Sequence, residues 1–392
     1  MGTSALSFEF ATAARILFGE GGVRDVGAIA AELGTHALLV ESGSGRAEPV
    51  LALLHEHGVA TTRLHVRGEP TTTLVERGAE QARRNGCDHV IAFGGGSVID
   101  AGKAVAALIT NREPLVEYLE VVGRARPLEE RSVPMIAIPT TAGTGAEVTR
   151  NAVLLVEERR VKVSLRSASM LPVVAIVDPE LTYSLPPDVT ASTGLDALTQ
   201  CLEPFVSPKG NPLADAVARE GLRRAAGALR RVMRDGSDVE ARRDMAVASL
   251  CGGLALANAK LGAVHGFAAP LGGMFPVPHG VACARLLAPV AEVNVRALRE
   301  RGTESRPASV ALARYDEMAR IVTGRSDARA EDGVAWLRAL VEDLGVPRLS
   351  AYGIRRDDVV AVAAKARGAS SMQGNPVALT DEELRGALEA AL

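Results

Sequence analysis

Two histidines, His265 and His279, are candidates for chemistry because of the sequence that surrounds them. They lie in the apolar run AVHGFAAPLGGMFPVPHG at 263–280, which glycines and prolines interrupt and where an exposed histidine would be unusual. Upstream, Asp196 and Gln200 are four residues apart in TGLDALTQ and would share one face of a helix. Imidazole and carboxylate groups are ligands for zinc or Fe(II), and a site built from them can leave a position open for a substrate. The residues predict a metal or catalytic site, with a pair of hydrogen-bonded histidines in a helical core as the alternative.

Composition and charge exclude several classes of function. The chain has 392 residues, 47% of them hydrophobic, which suits two domains with large cores. A formal net charge of −3, with dispersed basic residues, gives no field for nucleic acid or an anionic membrane. No run approaches the roughly 18 apolar residues of a membrane span, and the N-terminal segment lacks the basic and apolar regions of a signal peptide. We therefore expect a cytoplasmic protein that binds neither nucleic acid nor a membrane.

The four cysteines indicate reduced thiols. Cys87, Cys201, Cys251 and Cys283 are widely spaced and form no CxxC pair. This pattern is typical of a cytosolic protein and not of a disulfide framework.

Short apolar runs alternate with helical patterns in the first half of the chain. Strands are predicted at 14–18, 37–41, 61–66, 89–97, 133–139 and 173–179, with a hairpin at 151–156 and 161–166. This alternation predicts an α/β domain with a doubly wound, parallel, Rossmann-like sheet. Sheets of this kind bind ligands at the carboxyl ends of their strands.

Two loops at predicted strand ends have the residues of a nucleotide site. Gly94, Gly95, Gly96 and Ser97 join a buried strand to a helix, where backbone N–H groups and the helix N-terminus can meet a phosphate. The next strand runs into PTTAGTGAE at 139–147, whose hydroxyls and glycines suit a diphosphate or a ribose. A tight turn and a threonine-rich loop without a ligand are the respective alternatives.

Beyond residue 188 the strand patterns disappear. Helices are predicted at 188–205, 212–232, 238–258, 282–299, 308–323, 328–344 and 356–366. Prolines near residue 185 indicate a boundary between an α/β domain at 1–185 and an all-helical domain at 186–392. A cleft between two domains is a common place for a small-molecule site.

Together these segments resemble the iron-containing (group III) alcohol dehydrogenases, including the related maleylacetate reductases. The resemblance is carried, in family order and spacing, by FGGGSVIDAGKA at 93–104, IPTTAGTGAEVT at 138–149, KVSLRS at 162–167, VDPELT at 177–182, GLDALTQCLEPFVS at 194–207, and AVHGFAAPLGG with PHG at 263–280. It implies the two-domain, dehydroquinate synthase-like architecture. It also implies nicotinamide-dependent interconversion of alcohols with aldehydes or ketones.

The resemblance also implies roles for individual residues. The implied cofactor contacts are Gly94, Gly95, Gly96, Ser97, Asp100, Lys103, Thr140, Thr141, Thr144 and Lys162. The implied ligands of a divalent metal, Fe(II) or zinc, are Asp196, His265 and His279, with Gln200 where the family usually has a histidine. A further histidine of the family is replaced by Ala269.

Two other mechanisms stay open, one because glutamine is a weaker ligand than imidazole, the other because a resembling superfamily has the same two-domain plan. In one, resembling maleylacetate reductases, no metal takes part. His265 or His279 then supplies a proton, and arginines such as Arg150 or Arg166 bind an oxo acid. In the other, the protein is a lyase of the dehydroquinate synthase type.

The segment after the second predicted strand bears on cofactor choice. The family often has an acidic residue there for the ribose of NAD, and the matching residue here is Ser42. Small residues followed by Arg46 suit a 2′-phosphate, whereas Glu41 favours NAD if it points into the site. We expect NADP(H) rather than NAD(H), a small carbonyl or alcohol substrate, and a homodimer.

Overall fold

The computed structural model describes residues 7–301 and 306–392. The N-terminal part contains eight strands: β1 (Arg15–Phe18), β2 (His36–Glu41), β3 (Ala60–His65), β4 (His89–Gly94), β5 (Met135–Pro139), β6 (Asn151–Val156), β7 (Val161–Arg166) and β8 (Val174–Val177). Six form one parallel sheet in the order β3-β2-β4-β5-β8-β1, and β6 and β7 form an antiparallel hairpin. The predicted doubly wound α/β fold is confirmed.

The parallel strands form because their side chains are buried on both faces. Leu38, Leu39 and Val40 of β2 are fully buried, as the near-continuous apolar runs of covered parallel sheets require. The flanking helices are α1 (Val26–Leu33), α2 (Glu48–Glu56), α3 (Thr72–Arg84), α4 (Gly96–Thr110) and the short α5 (Leu115–Tyr118). The core under α1 and α2 and the core under α3 and α4 lie on opposite faces of the sheet.

The C-terminal part is helical. Its helices are α6 (Pro187–Val206), α7 (Pro212–Arg234), α8 (Val239–Asn258), α9 (Ala263–Met274), α10 (His279–Arg301), α11 (Arg306–Thr323), α12 (Ala330–Asp343), α13 (Val359–Arg367) and α14 (Asp381–Ala391). They bury one large apolar cluster. In the described residues no single helix has the length and hydropathy of a membrane span; only α8 and α9 taken together reach them, across a 97° bend.

The sequence analysis missed α9 because its composition disfavours a helix. Glycines and Pro270 have low helix propensity, but Phe267, Ala268 and Leu271 are fully buried, and packing decides the outcome. The glycines at the end of α9 also allow close approach of the hairpin. A Cβ on Gly273 would lie 2.8 Å from the carbonyl oxygen of Arg160. Helix α10 begins at His279, three residues before its predicted start.

A pair of glycines lets the helical part approach the sheet closely. Gly145, which follows β5, has a φ of +56°, and its Cα lies against Gly253 of α8. A Cβ on Gly253 would lie 2.8 Å from the Cα of Gly145 and would overlap its carbonyl oxygen. Because both neighbours are backbone atoms, no side-chain rotation can relieve this clash.

We predict that Gly253→Ala destabilises the protein, although alanine favours helices. Overpacking costs about 1–3 kcal/mol, which exceeds the gain in helix propensity of about 1 kcal/mol. Gly386→Ala in α14 is the matched control, since its added Cβ meets nothing within 4 Å. Urea unfolding should show a lower midpoint for Gly253→Ala and an equal or higher one for Gly386→Ala. A stabilised Gly253→Ala variant would contradict the close approach.

Candidate metal and cofactor site

Three helices bring the candidate ligands to one point. Asp196 projects from α6, His265 from α9 and His279 from the start of α10. Nε2 of His265 lies 3.3 Å from Oδ1 of Asp196, and Nε2 of His279 lies 3.8 Å from the same oxygen. The two imidazole rings have centroids 5.4 Å apart. Residues separated by up to 83 positions in the chain thus form one cluster, which we call the metal cluster.

Cys283 belongs to this cluster, and the sequence analysis did not single it out for a site. It lies on α10 one turn after His279 and is fully buried. Its Sγ lies 3.7 Å from Nε2 of His265 and 3.6 Å from Nε2 of His279. The donor atoms of Asp196, His265, His279 and Cys283 all lie within 4.8 Å of one another. The spacing of four residues between His279 and Cys283 places both side chains on one face of a helix. The sequence did not reveal this, because the predicted helix began at residue 282, after His279.

The metal cluster fits a divalent cation. Asp196 is 1% exposed, and its Oδ1 has no hydrogen-bond partner among the described residues. Leaving a buried carboxylate oxygen without a partner is costly, and a cation removes that cost. Imidazole, carboxylate and thiolate are also the donor types that zinc binds.

The charges of the metal cluster are strongly coupled. Burial acts to raise the pKa of Asp196, but the charge of His279 and the approach of His265 outweigh burial and lower it. Burial acts to lower the pKa of His265, but Cys283, Asp196 and Glu203 raise it well above its ordinary value. The pKa of His279 is raised as well, against burial, by Cys283 and Asp196. Protons and a metal ion therefore compete for the same imidazole nitrogens.

Glu203 orients His265. Its Oε2 lies 2.6 Å from Nδ1 of His265, and its Oε1 accepts a hydrogen bond of 2.7 Å from the backbone N–H of Val264. A carboxylate on one ring nitrogen leaves the other, here Nε2, to face the cluster, as is common for metal-binding histidines. The sequence analysis missed Glu203, although it lies seven residues after Asp196 and hence on the same face of α6.

Gln200 connects the metal cluster to the loop that follows β5. Its Nε2 donates to the carbonyl oxygen of Gly143 at 2.9 Å and to Oδ2 of Asp196 at 3.4 Å. Gly143 also lies against α6, since a Cβ on it would be 2.8 Å from the Cβ of Thr193. Gln200 therefore holds Asp196 in place, and its predicted role as a metal ligand stays a prediction.

The two predicted nucleotide loops lie side by side at the carboxyl ends of β4 and β5. Gly94 pairs with Pro139 across the strands, and the N–H of Thr140 donates to the carbonyl oxygen of Gly94 at 3.0 Å. Helix α4 begins at Gly96, so its N-terminus and Ser97 lie at this edge. Thr141 lies against Gly95, and Thr144 against Gly96. This edge has the features of a phosphate site.

Lys103, which lies one turn after Asp100 on α4, is fully buried. Its Nζ contacts the carbonyl oxygen of Ala146 at 3.0 Å, Oγ1 of Thr149 at 2.9 Å and Oδ1 of Asp100 at 3.0 Å. These contacts fix the chain after β5, and direct binding of the cofactor by either residue stays a prediction.

Lys162 of β7 lies between the hairpin and α9. It is 3% exposed, and its Nζ lies 2.7 Å from Oε1 of Glu69. A Cβ on Gly272 of α9 would be 2.6 Å from that nitrogen. A contact between Lys162 and the cofactor stays a prediction.

The segment after β2 presents hydroxyls rather than a free carboxylate. The carboxylate of Glu41 is 1% exposed and contacts Arg63 at 2.8 Å and His65 at 2.9 Å. Ser42 is exposed, and its hydroxyl donates to Oγ of Ser44 at 3.0 Å. The guanidinium of Arg46 donates to the carbonyl oxygen of Leu181.

Comparison with known proteins agrees with this arrangement over nearly the whole chain. The iron-containing alcohol dehydrogenase family model matches residues 13–179, and the C-terminal model of the Fe-containing alcohol dehydrogenase family matches residues 190–392. The choline dehydrogenase of Bacillus subtilis is 35% identical over 96% of this chain and 92% of its own.

Solved structures share the fold. A crystal structure of a 1,3-propanediol oxidoreductase superposes with a TM-score of 0.90 at 32% identity, covering 99% of this chain and 100% of the other. A sulfoacetaldehyde reductase from Bifidobacterium kashiwanohense, in complex with NAD+, gives a TM-score of 0.86 at 29% identity over 99% of both chains. This chain belongs to the iron-containing alcohol dehydrogenase family and is an NAD(P)-dependent oxidoreductase that interconverts an alcohol with an aldehyde or ketone.

Proposed function

We propose that this enzyme acts on a short primary alcohol and its aldehyde that carry a second polar group, with a divalent ion held by the metal cluster. The observation that supports the proposal is the loop at 139–147. Thr144 of this loop packs against Gly96 of the glycine loop. The carbonyl oxygen of Gly143, in the same loop, accepts a hydrogen bond from Gln200, whose amide also donates to Asp196. The same loop therefore borders both the cofactor edge of the sheet and the metal cluster.

Reduction of the aldehyde needs a hydride for its carbon and a proton for its oxygen. A bound nicotinamide would supply the hydride, with its diphosphate held by the sheet edge at the N-terminus of α4. A bound divalent ion would polarise the carbonyl as a Lewis acid. Asp196, His265 and His279 would hold the ion, and Glu203 orients the ring of His265. His279, at 35% exposed, is the most open member of the cluster, so substrate would enter on its side and water there would supply the proton for the carbonyl oxygen.

The substrate class is supported by the relatives. Three of them are named for choline, 1,3-propanediol and sulfoacetaldehyde, which are short molecules with a polar group beyond the reacting carbon, while others are named only as alcohol dehydrogenases. The oxo-acid alternative has less support, since its candidate arginines face carboxylates. Arg150 lies 3.1 Å from Oε1 of Glu9, and Arg166 lies 3.8 Å from Oε1 of Glu120.

We also propose a cofactor preference, a metal, a location and an oligomeric state. Exposed Ser42 and the occupied carboxylate of Glu41 favour NADP(H) over NAD(H), because no free acid faces a 2′-phosphate there. Zinc or Fe(II) suits the imidazole and carboxylate donors. We retain the cytoplasmic location and the homodimer as proposals from the sequence.

The direct test of the function is Asp196→Asn, which removes a ligand charge while keeping the shape of the side chain. We expect the purified enzyme to oxidise NADPH or NADH in the presence of short polar aldehydes. The variant should copurify with less metal and lose at least about a hundredfold in kcat/KM, equivalent to about 2.7 kcal/mol. Asp188→Asn, on the exposed first turn of the same helix, is the control. Unchanged activity and metal content in Asp196→Asn, or no activity with any aldehyde, would contradict the proposal.

A second prediction concerns the glycine loop. A Cβ on Gly95 would lie in ordinary contact with Thr141, 3.4 Å from its Oγ1, and the larger side chain of valine would occupy the approach to the phosphates. Gly95→Val should weaken NADP(H) binding at least about tenfold by calorimetry, or about 1.4 kcal/mol. The control is Gly227→Val, on an exposed position of α7 where an added Cβ meets nothing within 4 Å. Unchanged affinity in folded Gly95→Val would show that the loop does not bind the cofactor.

A third prediction concerns cofactor preference. Ser42→Asp should lower the ratio of kcat/KM for NADPH to that for NADH by about tenfold or more, because the carboxylate repels a 2′-phosphate and accepts the 2′-OH of NAD. Ser42→Asn has the same size without the charge and should change the ratio much less. If the ratio is equal in wild type and Ser42→Asp, the segment does not contact the ribose.

A further inference from the structure

We propose that Cys283, and not Gln200, is the fourth protein ligand of the metal cluster. The inference rests on the metal-assisted function proposed above and names the donor set of that same site. It makes the set one carboxylate, two imidazoles and one thiolate. The number of protein ligands stays at the four that the family resemblance implies.

Three of the donor–donor distances in the metal cluster match a tetrahedral zinc centre. With the usual bond lengths, a tetrahedron has edges of about 3.3 Å between nitrogen and oxygen and about 3.6 Å between nitrogen and sulfur. The observed Nε2–Oδ1 distance between His265 and Asp196 is 3.3 Å. The Sγ of Cys283 lies 3.7 Å and 3.6 Å from the two Nε2 atoms. The Nε2–Oδ1 distance between His279 and Asp196 is longer, 3.8 Å, and all four donor atoms lie within 4.8 Å of one another, so small side-chain movements would bring all four to one ion.

Gln200 directs its amide nitrogen, which cannot bind a cation, toward Asp196 and Gly143. Its two partners, the carbonyl oxygen of Gly143 and Oδ2 of Asp196, can only accept, so the amide nitrogen faces both of them. Turning the amide so that its oxygen takes the place of Nε2 would break the 2.9 Å hydrogen bond to Gly143 and place that oxygen beside Oδ2 of Asp196. Gln200 instead satisfies Oδ2 of Asp196 and leaves Oδ1, which has no hydrogen-bond partner, facing His265 and His279.

Sulfur also binds an ion more strongly than a glutamine oxygen does. The Cys283 thiolate carries a negative charge, whereas the glutamine carbonyl is neutral. The carboxylate of Glu203, 2.6 Å from Nδ1 of His265, adds a further negative charge next to the ligands. The thiol releases its proton to water as the sulfur–metal bond forms.

A thiolate ligand changes which metal ion the cluster is expected to prefer. Soft sulfur ligands select zinc, whereas a set of nitrogen and oxygen donors also suits Fe(II). We therefore expect this chain to prefer zinc over Fe(II), in contrast to what the name of its family implies. Zinc centres accept a fifth donor during reactions, so four protein ligands do not close the site to a substrate.

The test uses the full-length protein loaded with Co(II), whose bond to a thiolate gives a charge-transfer absorption in the near ultraviolet. Wild type and Cys251→Ser should both show this band, because Cys251 is a buried thiol of α8 outside the metal cluster. Cys283→Ser should lose it. In competition with a chelator, Cys283→Ser should also lose more zinc affinity than the roughly 10- to 100-fold expected for an outer partner of a ligand.

Gln200→Ala completes the design, with circular dichroism confirming that each variant is folded. It should keep the charge-transfer band and lose no more than about 100-fold in zinc affinity, as expected for a residue that orients Asp196. Bound Co(II) without a sulfur band in wild type, or an unchanged spectrum in Cys283→Ser, would overturn the assignment of Cys283 and leave the metal-assisted function intact. Failure of wild type to bind Co(II) or zinc at all would overturn both.

Discussion

The structure depends on a buried carboxylate that the protein alone leaves incompletely satisfied. Asp196 lies in the helical core at 1% exposure. Its Oδ1 accepts no hydrogen bond from the described residues, and two imidazoles and a thiol lie around it, with the imidazole of His265 at 3.3 Å. Such a group is costly unless a positive charge offsets it. The packing of α6, α9 and α10 provides the donors for that charge. Glu203 and Gln200, which contact the cluster from outside, orient His265 and Asp196 respectively.

The second constraint is close contact between the helical part and the carboxyl edge of the sheet. Gly145 and Gly253 remove the side chains that would separate them, and the buried ammonium of Lys103 holds the intervening turn through Ala146 and Thr149. The loop at 139–147 contacts both the glycine loop and α6. A nicotinamide bound at the edge of the sheet would therefore lie near a carbonyl polarised at the metal cluster. Hydride transfer requires this proximity, since it depends on the positioning of two reactants.

The sequence predicted the sheet well because its strands are apolar runs bounded by glycine or proline, and the order of loops along the chain follows from that alternation. It also singled out Asp196, His265 and His279, whose residue types are rare in an apolar setting. The structure brings these three together, and their role as metal ligands stays a prediction. It did not predict α9, where tertiary packing overrides the low propensity of glycine and proline. Cys283 and Glu203 were missed for a related reason. Only helical geometry and the approach of another helix place Cys283 in the cluster and Glu203 beside His265.

The most direct test of this account is an anomalous-difference map from crystals of the enzyme grown with zinc and NADP(H), recorded at the zinc absorption edge. We expect one strong peak within bonding distance of Asp196, His265 and His279, with the nicotinamide of the cofactor beside it. A map with no peak among these residues, or with the cofactor bound away from the glycine loop, would contradict it.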